Sequence, residues 1–297
     1  MTANATATPR TVLITGASAG LGLALARLLA PDPRFRLVLT ARPAALDRFA
    51  AAGLHAGERL LVAPLDVADQ QSRVEAIRHI EATWGTIDVL VNNAGVSFRS
   101  VLEQANERER QLQMETNFLG AVHLIRLVLP AMRRQRRGHV INVSSVSGMM
   151  AMPTMAHYSA SKWALEGASE ALWYEVRPFG IHVTLVEPGF IRSESFRNTR
   201  LTIDSAAAMA DDHAAYHAHY ASMAPFIERL MQRAWGTPES IARKIRGAIT
   251  SRRPPLRLLA TPDARVFAAV RRWLPRRFYH WLLYRSLPGV GGWGRSR

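Results

Sequence analysis

Cysteine is absent from the 297 residues. With it go disulfides, thiolate metal sites and cysteine nucleophiles, so the chain is indifferent to redox compartment. Lysine is nearly absent too. Lys162 and Lys244 are the only two, and arginine carries almost all of the positive charge. No apolar run approaches the roughly 18 residues that a spanning helix needs, and the residues before Thr11 are short and polar, without the apolar core of a secretory leader. These absences predict a cytoplasmic protein. Acids are scarcest at the C-terminal end, where residues 252–297 hold eleven arginines and one acid, Asp263, and so carry +10 of the net +15. Such a tail suits anionic lipid, nucleic acid or an acidic partner. Peripheral membrane contact is one expectation for it, beside packing on the fold, and no nucleic acid partner is expected.

What is present has an ordinary globular balance, 48% hydrophobic and 21% charged, so the chain should fold around a sizeable core. Short apolar runs at Thr11–Thr15, Arg36–Thr40, Leu60–Pro64, Asp88–Val91, His139–Val143 and His182–Val186 read as strands. They alternate with helical patterns after Gly20, at Gln70–Trp84, within Glu107–Arg136 and at His157–Val176. Strands alternating with helices predict an α/β fold, a single doubly wound parallel sheet of the Rossmann type. Beyond Pro188 the pattern loosens into an Ala-, Met- and His-rich stretch, Ser205–Arg233, read as a helical lid. Pro238–Ile249 is a further helix, and Arg257–Ala260 is a candidate edge strand. The run Arg252-Arg253-Pro254-Pro255 marks a change of composition. The division is therefore a Rossmann-type domain, 10–251, and a basic amphipathic C-terminal extension, 252–297.

Thr15-Gly16-Ala17-Ser18-Ala19-Gly20-Leu21-Gly22 stands between a strand and a helix. Glycines there allow positive φ and close approach of a pyrophosphate, and the helix start offers free amide donors. Gly16, Ser18, Gly20, Leu21 and Gly22 are the candidate cofactor cradle; a ligand-free glycine turn is the alternative. The second strand ends in Leu39-Thr40-Ala41-Arg42, where an NAD enzyme would place an acid for the ribose 2′-hydroxyl. Arg42 suits the 2′-phosphate of NADP instead.

Tyr158 and Lys162 are four apart on one helix face. A phenol is a poor acid or base at neutral pH, and a neighbouring ammonium is expected to lower its pKa toward the working range. With the TGxxxGxG turn, this YxxxK pair resembles the short-chain dehydrogenase/reductase family, and further segments fall in that family's order. Asn92-Asn93-Ala94-Gly95 looks like its NNAG motif, bordering the cofactor through Asn93. Asp66-Val67 resembles its adenine-contacting pair, and Asn117 matches the asparagine that holds a water in a proton relay. Ser145, in Asn142–Gly148, matches the serine that hydrogen-bonds the substrate oxygen, although Ser144 or Ser147 could take that place. Pro188-Gly189 with Ile191 and Ser193 matches the nicotinamide-side segment, with serine where threonine is usual. The resemblance implies hydride transfer between NADP(H), in preference to NAD, and a carbonyl or secondary alcohol. Asn117, Ser145, Tyr158 and Lys162 would be the catalytic set, Tyr158 and Lys162 also touching cofactor, with no metal. It also implies a homodimer or homotetramer.

His213, His217 and His219, with Asp211 and Asp212, have helical spacing but read as a solvated face. Arg133, Arg134, Arg136 and Arg137 close a helix at its negative end. In the tail, Val266, Phe267, Val270, Leu274, Phe278, Trp281 and Leu282 recur amid arginines, divided by Pro275. They could lie on a membrane, with Trp273, Trp281 and Trp293 at the interface, or pack across the substrate cleft or a subunit boundary, and packing is the reading favoured. The tail resembles extensions of family members acting on steroids or retinoids, implying a small lipophilic substrate. Two readings compete with the enzyme: a cofactor-binding regulator or membrane-associated protein with little turnover, and an epimerase or dehydratase.

Overall fold

The computed structural model describes residues 8–192 and 199–294. Seven parallel strands form the central sheet in the order β3-β2-β1-β4-β6-β7-β9. They are β1 (Arg10–Ile14), β2 (Phe35–Ala41), β3 (Leu60–Pro64), β4 (Val89–Asn92), β6 (Gly138–Val143), β7 (Ile181–Glu187) and β9 (Arg257–Leu259). A two-stranded sheet joins β5 (Phe98–Arg99) to β8 (Arg200–Leu201). The candidate strand after the composition break is thus a member of the main sheet: β9 pairs in parallel with β7, Leu258 opposite Val186.

The strands are apolar on both faces because helices cover both. In β1, Val12 and Ile14 enter one core with Leu25 and Leu29 of α1 (Gly20–Leu29) and Ile241, Ile245 and Ile249 of α9 (Pro238–Thr250). Leu13, between them, points to the other core. There it meets Ile77 and Ile80 of α3 (Gln70–Trp84), Leu124 and Val128 of α5 (Gly120–Arg134), and Leu172 and Val176 of α6 (Ala156–Val176). A short α2 (Asp47–Ala51) follows β2.

The long helix expected within Glu107–Arg136 is broken. α4 (Glu107–Met114) and α5 are joined by a π-helical turn, Glu115–Leu119, that carries Asn117. The Ser205–Arg233 stretch forms two helices, α7 (Ile203–Ala210) and α8 (His217–Gln232). The extension forms α10 (Pro262–Trp273) and α11 (Arg276–Ser286), separated at Pro275. Trp293 packs back on α8, donating to Ser222 Oγ at 3.0 Å and stacking on His219. Trp273 and Trp281 remain exposed. Among the described residues no helix is long and apolar enough to cross a membrane, and no group of three His, Cys, Asp or Glu could hold a metal ion.

Candidate active site

In this strand order the chain runs outward from β1 to β3 and then returns to β4, which creates a crevice at the carboxyl ends of β1 and β4. The candidate residues from Gly16 to Ile191 follow the carboxyl ends of β1, β2, β3, β4, β6 and β7 or stand on the adjoining helices.

The glycine turn is shaped by its neighbours. Gly16 has φ +61°, and a Cβ there would come within 2.8 Å of the Ala94 backbone. A Cβ on Gly22 would meet Asn93 Nδ2 and Gly16 O, each at 2.6 Å. Asn93 Nδ2 donates to Thr15 O and Gly16 O at 2.9 and 3.1 Å, while Thr15 Oγ1 accepts from the amides of Asn93 and Ala94. The Asn93 side chain therefore spends its donors on holding the turn. Gly20 has φ +53° and faces open space. Ala19, at the N-cap of α1, makes no side-chain cap bond, which leaves the amide donors at the start of α1 to an anion. This cradle fits a dinucleotide pyrophosphate. Ser18 and Leu21 are half-buried beside it, and Arg42 is exposed just past β2. Asp66 folds onto its own turn, accepting from Ala68 N at 3.0 Å, and Val67 is buried.

On α6, Tyr158 and Lys162 lie one turn apart, with Lys162 Nζ 5.8 Å from the Tyr158 ring centroid. Lys162 donates to Val143 O at 2.8 Å. Burial pushes the Tyr158 phenol above its ordinary value, with Ser145 acting in the opposite sense. Burial also draws Lys162 down to about 8, against the pull of Glu166. The expected depression of Tyr158 by its lysine is thus not what the protein alone produces. Desolvation of the phenolate prevails over the Ser145 hydrogen bond, and Tyr158 is protonated at neutral pH.

The three serines after β6 separate by their partners. Ser144 Oγ donates to Glu166 Oε1 at 2.6 Å, and Ser147 offers its backbone N to Ser145 Oγ at 3.1 Å. Ser145 is the one whose side chain acts on Tyr158. Asn117 is buried, with Nδ2 donating to Val96 O at 2.9 Å and Ser161 Oγ at 3.0 Å, and Oδ1 accepting from Val96 N. Both amide hydrogens are spent, so a water held here would fall to the main chain of the π turn.

The segment after β7 is gripped by the extension. Gly189 N donates to Thr261 Oγ1 at 2.8 Å, and Phe190 N to Asp263 Oδ2 at 2.7 Å. A Cβ on Gly189 would lie 1.9 Å from that carboxylate, which explains the glycine. Val146 N bonds Pro188 O, and Ile191 bridges to Gly236. Ser193 lies outside the described residues.

Several contributors had no motif to announce them. Gln113 is fully buried, its Oε1 accepting from Phe98 N and its Nε2 donating to Val96 O. Glu166 and Glu187 are buried against Arg257 of β9. Burial and the charge of Glu166 hold Glu187 up at about 7 against that arginine. Glu166, one turn beyond Lys162, had the same helical spacing that marked the Tyr–Lys pair. Arg257 carried no local signal, since its partners lie far away in sequence.

The model of the short chain dehydrogenase family matches residues 10–204. The chain belongs to this family. It is 38% identical to human retinol dehydrogenase 8 over 84% of this chain and 81% of that protein. It is 36% identical to a 3-ketodihydrosphingosine reductase of Bacteroides thetaiotaomicron, over 93% and 97% of the two chains. A serine dehydrogenase solved with NADP+ superposes with a TM-score of 0.69 at 27% identity, over 84% of this short-chain dehydrogenase and 93% of that structure.

Proposed function

We propose that this short-chain dehydrogenase transfers hydride between NADP(H) and a carbonyl or secondary alcohol on a lipophilic substrate. The observation that carries the reading is the convergence of Ser145, Tyr158 and Lys162 beside a glycine cradle that fits a dinucleotide. The nicotinamide cofactor supplies or accepts the hydride when bound.

Tyr158, protonated at neutral pH, donates its phenolic proton to the substrate oxygen during reduction. Ser145 orients and polarises the same oxygen. Lys162 spends one N–H on Val143 O, which fixes the ammonium and leaves two donors for the cofactor ribose and the proton path. The amides of the turn and Arg42 hold the phosphates, Arg42 selecting the 2′-phosphate because no acid stands between Thr40 and Ala45. The apolar substrate class rests on Met149, Met152 and Met155. These half-buried side chains between Ser145 and Tyr158 offer an adaptable apolar wall, and the names of both relatives concern lipids or retinoids.

NADPH and NADH titrations, followed by NADPH oxidation with hydrophobic ketones and retinal, test the reading. Binding should favour NADPH, and Arg42→Ala should weaken NADPH at least about tenfold while sparing NADH, the loss of a charge-assisted pair. Tyr158→Phe should keep NADPH binding and lower kcat by about 10²-fold or more; unchanged turnover would overturn its role.

A further inference from the structure

Arg99 is a buried cation that the mechanism above does not use. It stands in β5, just past the Asn92–Gly95 motif, and is 5% exposed. Its Nη1 is buried without a hydrogen-bond partner, and among the described residues no carboxylate forms an ion pair with it. Burial lowers its pKa, and Glu228 of α8 is the acid whose charge acts against that shift. An arginine resists deprotonation, and an uncompensated buried charge is costly.

The surroundings share this deficit. Ser97 Oγ, Ser100 Oγ, Thr154 Oγ1 and Ser159 Oγ are also buried and unpartnered. They lie on two segments joined by a bridge between Ser100 and Met155, and Tyr158 stands on the second segment. Thr154 has φ +62°, an outlier for a β-branched residue. α8 closes over the same place, Tyr220 accepting from Val101 N and donating to Gln104. Unsatisfied donors concentrated beside a reacting residue mark where a ligand's acceptors belong.

We propose that Arg99 binds a carboxylate carried by the substrate whose carbonyl reacts at Tyr158. The substrate is then an amphiphile, apolar along the methionine wall and acidic at one end. This rests on the Tyr158 reading, and the test separates the two. Keto acids of increasing chain length, each beside its methyl ester, are assayed with NADPH. At the length that spans Tyr158 and Arg99, the acid should exceed its ester about tenfold or more in kcat/KM, mainly through KM. Arg99→Leu should abolish that preference and retain turnover of the ester. Ester turnover by the unaltered protein reports the Tyr158 chemistry alone. Equal kcat/KM for acid and ester at every length, which needs no variant, overturns the proposal. Decanoate should also raise the Tm of the unaltered protein more than methyl decanoate does, and equal shifts would count equally against it.

The C-terminal helices carry a separate surface. Tyr279 turns inward from α11, while Phe278, Trp281, Leu282 and Arg285 form an exposed stripe at helical spacing. Phe278 and Trp281 stack at 5.5 Å, and Arg285 lies over Trp281. On α10, Trp273 is 76% exposed. Around these aromatics stand Arg272, Arg276 and Arg277, whereas Arg271 turns back onto Trp163 and Met149 O, and the one acid of the extension, Asp263, is engaged by Phe190 N. A second copy seated on this face would set arginines against arginines, whereas aromatics ringed by arginines match an anionic headgroup layer.

We infer that this face docks on an anionic bilayer. The full chain should co-sediment with phosphatidylcholine vesicles containing phosphatidylserine, less so at high salt, and not with phosphatidylcholine alone. Phe278→Ala/Trp281→Ala and Arg276→Gln/Arg277→Gln should each lose that binding while retaining NADPH binding as evidence of folding. Undiminished sedimentation of both double variants overturns the inference. So does a concentration-dependent dimer, lost in Phe278→Ala/Trp281→Ala, without vesicle binding.

Discussion

Lys162 is the residue whose environment sets the pH behaviour of the site. Burial holds it near 8 rather than at the usual lysine value, so it is charged below that pH and neutral above. If its ammonium holds the cofactor, kcat/KM for NADPH, which reports groups of the free enzyme, should fall as pH rises through about 8. Glu166 raises the lysine's pKa. Glu166→Gln should therefore move this limb to lower pH, whereas a purely structural carboxylate would leave the profile in place. Sequence spacing alone displayed the Tyr158–Lys162 pair. Burial, which decides the direction in which both groups shift, depends on how β6 and the adjoining segments close over them and has no local signature. The same is true of Asn117: the residue stood out, but the π turn that carries it did not, because hydropathy is blind to one inserted residue in a helix.

At the scale of elements, the main strands and helices fall within a residue or two of where periodicity puts them, since each has a long apolar pattern and turn residues at its ends. β5 and β8 were invisible. Two-residue strands have no period, and they exist because Arg200 and Leu201 come back to Phe98 and Arg99 across a hundred residues. The extension looked like an appendage because its composition changes, yet Thr261 and Asp263 at the start of α10 hold the segment after β7. Asp263→Ala removes a charge-assisted hydrogen bond and should cost about 1.5–3 kcal/mol in urea unfolding, with weaker NADPH binding. Gly189→Ala should be worse in both measurements, because its Cβ collides with the Asp263 carboxylate.

For the whole molecule, acid stability turns on a buried histidine. His139, in β6, is pushed down to about 3, first by burial and then by His182 and Arg10. Its ring meets Thr184 Oγ1 at 3.0 Å. Thr184 spends its one hydrogen on Pro255 O, so His139 Nε2 is the donor and the ring is neutral. The unfolded chain binds a proton near 6.5 that the fold refuses, so stability is full above that value and is lost as pH falls toward 3. His139 contributes about 1.4 kcal/mol per pH unit to that loss, while Glu187, held up at about 7, acts in the opposite sense between about 4.5 and 7. Urea unfolding at pH 7 and pH 5 should therefore show His139→Gln gaining stability relative to the unaltered protein as pH falls.

β9 has a consequence for synthesis. Arg257 is the cation that answers two carboxylates buried beneath the site, Glu166 and Glu187, and it belongs to the last strand of the sheet to be made. A nascent chain that has exposed everything up to β7 still holds two acids with nowhere to bury them. The N-terminal strands can assemble as they emerge, but the floor of the candidate site cannot close until the extension has left the ribosome. A chain released at residue 251 should therefore be retained by chaperones or degraded, and would not accumulate as a smaller enzyme.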